Sequence, residues 1–206
     1  MLKFFEGVDT SMVIKLALLH VVIITVSNAL VGIPLTVFGI MMNWSAFTFP
    51  FVVLATDLTV RLLGKNIARS TIAAAYPLAI ISSIAVVLLT GAPLSVALRI
   101  GLASATAYAV GTLLDVYVFQ LVREKFTTNW WAAPALSTVA SNVIDTYTFF
   151  AVAFKGSADA YMAANWVAIA TSQVVIKIAV GAIVFLPLYG LLLLYLKRRM
   201  QVTSEG

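Results

Sequence analysis

Apolar residues run along this chain in blocks of roughly twenty, each ended by a charge, a proline or a glycine, the rhythm expected of helices that cross a bilayer. A hydrocarbon core about 30 Å thick takes roughly 20 helical residues to cross. Punctuated this way, the blocks predict spans near residues 13–33, 47–63, 68–90, 95–121, 132–154 and 165–196. Most connections are short, so successive helices run antiparallel and pack as one bundle. The expected fold is an all-α integral membrane protein, a single transmembrane domain over residues 1–206. The opening segment MLKFFEGVDTSMVIK carries acids and a polar break, and no small-residue cleavage pattern follows it. The first apolar run therefore reads as a retained span.

Composition agrees. Of 206 residues, 62% are hydrophobic and only 10% charged, too few charges to cover a soluble surface, so lipid is the main solvent. There is no cysteine, which excludes disulfides and thiol catalysis, and with a single histidine neither a metal cluster nor a cofactor is expected. The net charge of +5 raises the question of nucleic acid, but the charges are scattered and the aromatics sit inside apolar runs. Membrane orientation explains them better. Lys3, Lys15, Arg61, Lys65 and Arg69 fall at one set of span ends, joined by Arg123, Lys125 and the run Lys197 to Arg199, while the opposite loops offer little beyond Lys155. By the positive-inside rule both termini are cytoplasmic.

Trp44 at an outer boundary and Trp130 and Trp131 at an inner one read as interfacial anchors. Pro50 and Pro134 fall in first turns, whereas Pro77 and Pro187 lie inside spans and should kink them. Small residues recur at four-residue spacing in span four: Gly101, Ala105 and Ala109, with Ala103, Ala107 and Gly111 on an adjacent face. That helix can approach a neighbour closely, either within the bundle or at a homodimer seam.

A polar side chain at mid-membrane costs on the order of 2.5 to 3.5 kcal/mol on insertion scales, so each one calls for a partner or a role. At about 1.5 Å per residue, Asp57 is about 15 Å inside the outer end of span two and Lys177 about 18 Å inside that of span six. Asn142 and Asp145 lie about 16 and 20 Å from the inner end of span five, and Ser27 and Asn28 about 21 Å along span one. Asn142 and Asp145 share one helical face, and Gln173 and Lys177 share another, so both pairs can point into a common cavity. Alternatives stand beside these readings. Asp57 and Arg61 are spaced for an intrahelical pair, and Asp145 and Lys177 can form an ion pair between spans five and six. His20 shares roughly the face of Ser27 and is either a substrate contact or a core histidine bonded to a backbone carbonyl. Asp115, about 30 Å from the outer end of span four, is expected at the cytoplasmic mouth, and Arg99 near the outer mouth is expected to snorkel. Aromatic candidates for holding a flat ring are Phe47 and Phe49, with Tyr147, Phe149 and Phe150. Only Lys177 is a deep cation, so a phosphorylated solute fits poorly and a neutral, flat, hydrogen-bonding one fits best.

The stretch WSAFTFPFVVLATDLTVRLLG, Trp44 to Gly64, closely resembles the signature of the queuosine precursor transporter family. His20 with TVSN (Thr25 to Asn28), LLDVYVF (Leu113 to Phe119), WWAAPALSTVASNVIDT (Trp130 to Thr146), Lys177 and FLPLYG (Phe185 to Gly190) extend the resemblance over nearly the whole chain. It implies uptake of 7-cyano-7-deazaguanine or a near relative across the bacterial cytoplasmic membrane, supplying queuosine synthesis for tRNA. Such a base presents an N1–H and an exocyclic amine that one carboxylate accepts side by side. The contacts implied are Asp57, Asn142 and Asp145 for the base edge, with Ser27, Asn28 and Gln173 as supplementary hydrogen-bonders.

No phosphate-binding loop of the G-x-x-x-x-G-K-[ST] kind is present, so ATP hydrolysis is not expected of this chain. No pair of nucleophile and base stands out, so an enzyme is not expected either. Two transport readings remain: a carrier working by alternating access, with three spans on either side of Gly91 and Pro93 as an inverted repeat, or the substrate-binding subunit of an ATP-driven system. A membrane-buried aspartate can also carry a coupling proton.

Overall fold

The computed structural model describes residues 8–30, 33–37 and 40–205; Lys3 lies outside them. The chain opens with α1 (Thr10–Leu30), followed by an antiparallel ribbon of β1 (Pro34–Val37) and β2 (Ile40–Asn43) in which Val37 stands opposite Ile40. The ribbon is absent from the expectations above, which left this stretch unassigned. Next come the short α2 (Ser45–Thr48), then α3 (Pro50–Leu63), α4 (Lys65–Leu89), α5 (Leu94–Lys125) and α6 (Ala132–Phe154). α7 (Ala160–Val180) continues through a π turn (Gly181–Phe185) into α8 (Leu186–Glu205).

Local chemistry sets these boundaries. Asp9 Oδ1 accepts the amides of Ser11 and Met12 at 2.9 and 3.2 Å and so caps α1; Asp159 caps α7 by accepting from Met162 at 3.0 Å. Pro50 opens α3, where its missing N–H costs nothing. Gly64, at φ 92°, closes that helix by returning its N–H to the carbonyls of Thr59 and Val60, a left-handed stop that suits glycine. Pro77 lies inside α4, as expected. Pro187 has a more specific effect. Its ring excludes the carbonyl four residues back, and just before it the helix widens by one residue, with the Leu186 N–H bonding to Gly181 O.

Among the described residues five helical stretches are long and apolar enough to cross a membrane: Thr10–Leu30, Ser45–Leu63, Lys65–Leu89, Leu94–Lys125 and Ala160–Met200. α6 is of comparable length, 23 residues, but is not one of the five, and Ser137, Ser141, Asn142, Asp145 and Thr146 are all buried on it. It is the helix that carries polarity inward.

α5 packs between α4 and α6, α1 covers α4, and α7 covers α6, while α3 runs through the middle. Every residue of α3 from Val52 to Val60 except Ala55 is buried. The small-residue faces of α5 are used inside the chain. A Cβ on Gly101 would meet the Ile84 backbone nitrogen at 2.9 Å, and one on Gly111 would meet Asp145 Cβ at 2.6 Å. Large apolar side chains such as Ile14, Ile81, Leu113, Val175 and Leu191 point outward, as a lipid-facing surface requires.

The charged ends also have structure. Arg123 Nη1 donates to Arg61 O at 3.4 Å, joining the basic ends of α5 and α3. At the opposite end Arg99 does not snorkel: its guanidinium donates to the carbonyls of Val152, Gly156 and Lys155, closing the C-terminus of α6. Bare carbonyls at the negative end of a helix dipole hold a cation there.

Candidate functional site

Two cavities lie end to end along the seam between α3, α6 and α7. The upper one takes Ser27 and Asn28 from α1, Phe49 from the start of α3, Asp145, Phe149 and Phe150 from α6, and Gln173 and Lys177 from α7; it holds roughly 580 Å³ of free space including its open mouth. The lower one begins one residue further along two of the same helices, at Pro50 and Ile178, and is bordered by Asp57, Thr138, Phe185 and Tyr189. Phe49 and Lys177 therefore form the layer between the two. Asn142 falls at the same level, four residues beyond Thr138 and three short of Asp145 on α6.

That layer is tied by one compact network. Lys177 Nζ stands 3.6 Å from Asp145 Oδ2 and donates to Thr146 Oγ1 at 2.9 Å, and the Thr146 hydroxyl donates to Asp145 Oδ1 at 2.9 Å. The same ammonium sits 5.3 Å from the centre of the Phe49 ring. The ion pair that spacing alone allowed between spans five and six thus forms. At 3.6 Å it is longer than a charge-assisted hydrogen bond of about 2.7 to 2.9 Å, so the carboxylate keeps acceptor capacity toward the cavity.

Other groups in the upper cavity are open to a solute. Ser27 Oγ is buried with no hydrogen-bond partner, and the Gln173 carboxamide makes no hydrogen bond among the described residues. Asn28 is held in place: its amide donates to Ser83 at 2.7 Å, and its oxygen accepts from Ser104 at 3.0 Å. Phe149 and Phe150 pack edge to face at 5.4 Å along the cavity wall. Asn142 is 1% exposed, borders neither cavity, and has both amide atoms unpartnered among the described residues. An orphaned buried amide costs about 1 to 3 kcal/mol, which makes Asn142 a candidate for contact with a water or a solute.

Several expected placements are corrected. Asp57 does not share a cavity with Asp145; it borders the lower one, where its Oδ1 accepts from Ser137 at 3.2 Å. Arg61 makes no ion pair with Asp57 among the described residues, and its Nε and Nη1 are buried without partners, because the side chain turns toward the basic end. Asp115 is not at a mouth. It is 0% exposed and faces Asp57 and the Ser137 and Ser141 hydroxyls. Phe47 does not line the upper cavity and packs against Trp44 at 5.9 Å. Tyr147 also turns away, its hydroxyl 2.7 Å from Thr171 Oγ1 on α7. His20 is a core residue whose Nδ1 lies 3.0 Å from the Tyr108 hydroxyl, a side-chain partner in place of the expected carbonyl.

Sequence reasoning missed Tyr108, Ser83, Ser104, Ser137 and Tyr189. Each is a single polar residue in an apolar helix, and only the tertiary neighbour reveals its part. Among the described residues no group of three or more His, Cys, Asp or Glu side chains is placed to hold a metal ion.

The chain matches the family model described as "Putative vitamin uptake transporter" over residues 43–192. It is 43% identical over 202 residues to the queuosine precursor transporter of Escherichia coli (strain K12), covering 92% of this chain and 90% of that protein. It is 37% identical over 214 residues to a protein of Haemophilus influenzae named probable queuosine precursor transporter, with the same coverage of each chain. No solved structure matches it.

Proposed function

Because this chain belongs to the family of putative vitamin uptake transporters, we propose that it brings a queuosine precursor, 7-cyano-7-deazaguanine or a close deazapurine, across the bacterial cytoplasmic membrane. It is a transporter and not an enzyme. The observation that carries the reading is the upper cavity itself: a carboxylate with spare acceptor capacity, two uncommitted hydrogen-bonders and aromatic walls around one space.

The chemistry of the base fits these groups. Asp145 accepts the N1–H and exocyclic N–H side by side, Ser27 and Gln173 meet the remaining polar edge, and Phe49 and Phe149 cover the ring faces. Accepting those two donors draws Asp145 away from Lys177, and the layer between the cavities loosens. Substrate binding then favours opening toward the lower cavity, and release restores the pair. This is alternating access around a fixed site, with six crossings and both termini on the cytoplasmic side. Asn142 offers its amide at the level the solute passes.

The test is uptake of labelled 7-cyano-7-deazaguanine by purified chain in sealed liposomes, competed by guanine and queuine. The expected result is saturable uptake without any added partner. Uptake that appears only with an ATPase module would replace the carrier with the binding-subunit reading, and binding of none of the three bases would end the proposal.

A further inference from the structure

We propose that the facing carboxyls of Asp57 on α3 and Asp115 on α5 form a proton-binding site that couples solute entry to proton entry. The inference rests on the transport reading but uses residues outside the solute cavity.

The two carboxyls are close neighbours deep in the bundle, where α3 packs against α5. Two carboxylate anions cannot bond to one another, because neither has a hydrogen to give. The neighbouring hydroxyls do not solve this. Ser137 has one hydrogen, shared between Asp57 Oδ1 at 3.2 Å and the Pro134 carbonyl at 3.4 Å, and Ser141 donates to the Thr138 carbonyl at 3.2 Å. Among the described residues, both oxygens of Asp115 are left without a donor. A single proton between the carboxyls supplies the missing donor and removes one of two like charges from a dry site.

A second, independent feature points to the same place. Tyr189 of α8 is 1% exposed; its hydroxyl, close to the Arg61 guanidinium, has no hydrogen-bond partner among the described residues, and the side chain lines the lower cavity together with Asp57. It stands where a proton or a water passing between the carboxyl pair and that cavity would be held. Among the described residues, the ionisable groups near the pair are Asp145 on α6, Tyr189 on α8, Arg123 on α5 and, one turn along α3, Arg61, whose guanidinium makes no ion pair with either carboxyl. The pair also neighbours the solute site: Asp145 lines the upper cavity and acts electrostatically on Asp115, and α5 touches α6 at Gly111 and Asp145. A change of charge at one site is therefore felt at the other.

Two measurements on the full-length chain decide the matter. Infrared spectra of the purified protein at neutral pH should show the carbonyl stretch of a protonated carboxylic acid, shifted by Asp115→Asn alone and abolished by Asp57→Asn with Asp115→Asn. Wild-type protein without that band overturns the proposal whatever the transport result, and whether or not the variants fold. In liposomes, exchange of labelled base against preloaded unlabelled base reads the carrier itself, and accumulation driven by an acid exterior reads coupling. Wild type should exchange and should accumulate at least tenfold on the gradient. The double variant should lose accumulation by a larger factor than exchange. Wild type that exchanges but ignores the proton gradient, or accumulates on a sodium gradient instead, overturns the coupling while leaving transport intact. Absence of exchange by wild type refutes the transport reading, and the infrared band then judges the proton site alone.

Discussion

Asp145 ties three parts of the candidate site together, since it holds Lys177, accepts from Thr146 and abuts Gly111. Its replacement by asparagine keeps the shape but removes the charge that takes two N–H groups at once. Hydrogen bonds to charged groups contribute about 1.5 to 3 kcal/mol, so Asp145→Asn should weaken base binding by roughly 10- to 100-fold, measured as the half-saturating concentration in liposome uptake. Lys177→Met should act differently, leaving a buried carboxylate unpaired at a cost on the order of 3 kcal/mol. The expected result is a clear fall in melting temperature in detergent, recovered when Asp145→Asn is added. Gly111→Ala is the sharpest steric case. The new methyl would overlap Asp145 Cβ, so a loss of about 1 to 3 kcal/mol from overpacking should accompany reduced uptake, although Gly111 does not border the cavity.

At the scale of elements, the π turn before Pro187 sets the angular position of Phe185 and Tyr189. Phe185 lies 4.9 Å edge to face from Phe51, and both it and Tyr189 line the lower cavity. Pro187→Ala restores the missing N–H and lets the turn tighten, rotating α8 against α7. Thermal stability should hold or rise while uptake slows, a split that separates altered motion from misfolding. What the sequence made legible follows the same division. Hydropathy located the helices, and depth counting put Lys177 and Asp145 at one level, with an ion pair between them as one of the readings, because depth and helical face are local properties. It misjudged Asp115 because α5 has 32 residues, about 48 Å at 1.5 Å each, and so must tilt or protrude from the bilayer; counting from its end overstates depth. Asp57 was assigned to the wrong cavity because the rotation of α3 is set by neighbours packed on nearly all its sides. The role of Arg99 went unseen for the same reason, since its partner carbonyls at Val152, Lys155 and Gly156 are distant in sequence.

For the whole molecule, the absence of cysteine makes topology directly measurable. Ser157→Cys, in the turn between α6 and α7, should react with a membrane-impermeant thiol reagent in intact cells. Lys65→Cys, beside the Gly64 corner, should react only after permeabilisation. Labelling of both from the same side would contradict six crossings. One further consequence belongs to the Arg99 clasp on the end of α6. On the alternating-access proposal, that guanidinium at one end and the Gly111 approach to Asp145 near the middle would make α5 and α6 the stator and the remaining helices the rotor. Bifunctional thiol reagents bridging α5 to α6 should then leave the transport cycle running, whereas the same reagent joining position 49 to position 177 should stall it.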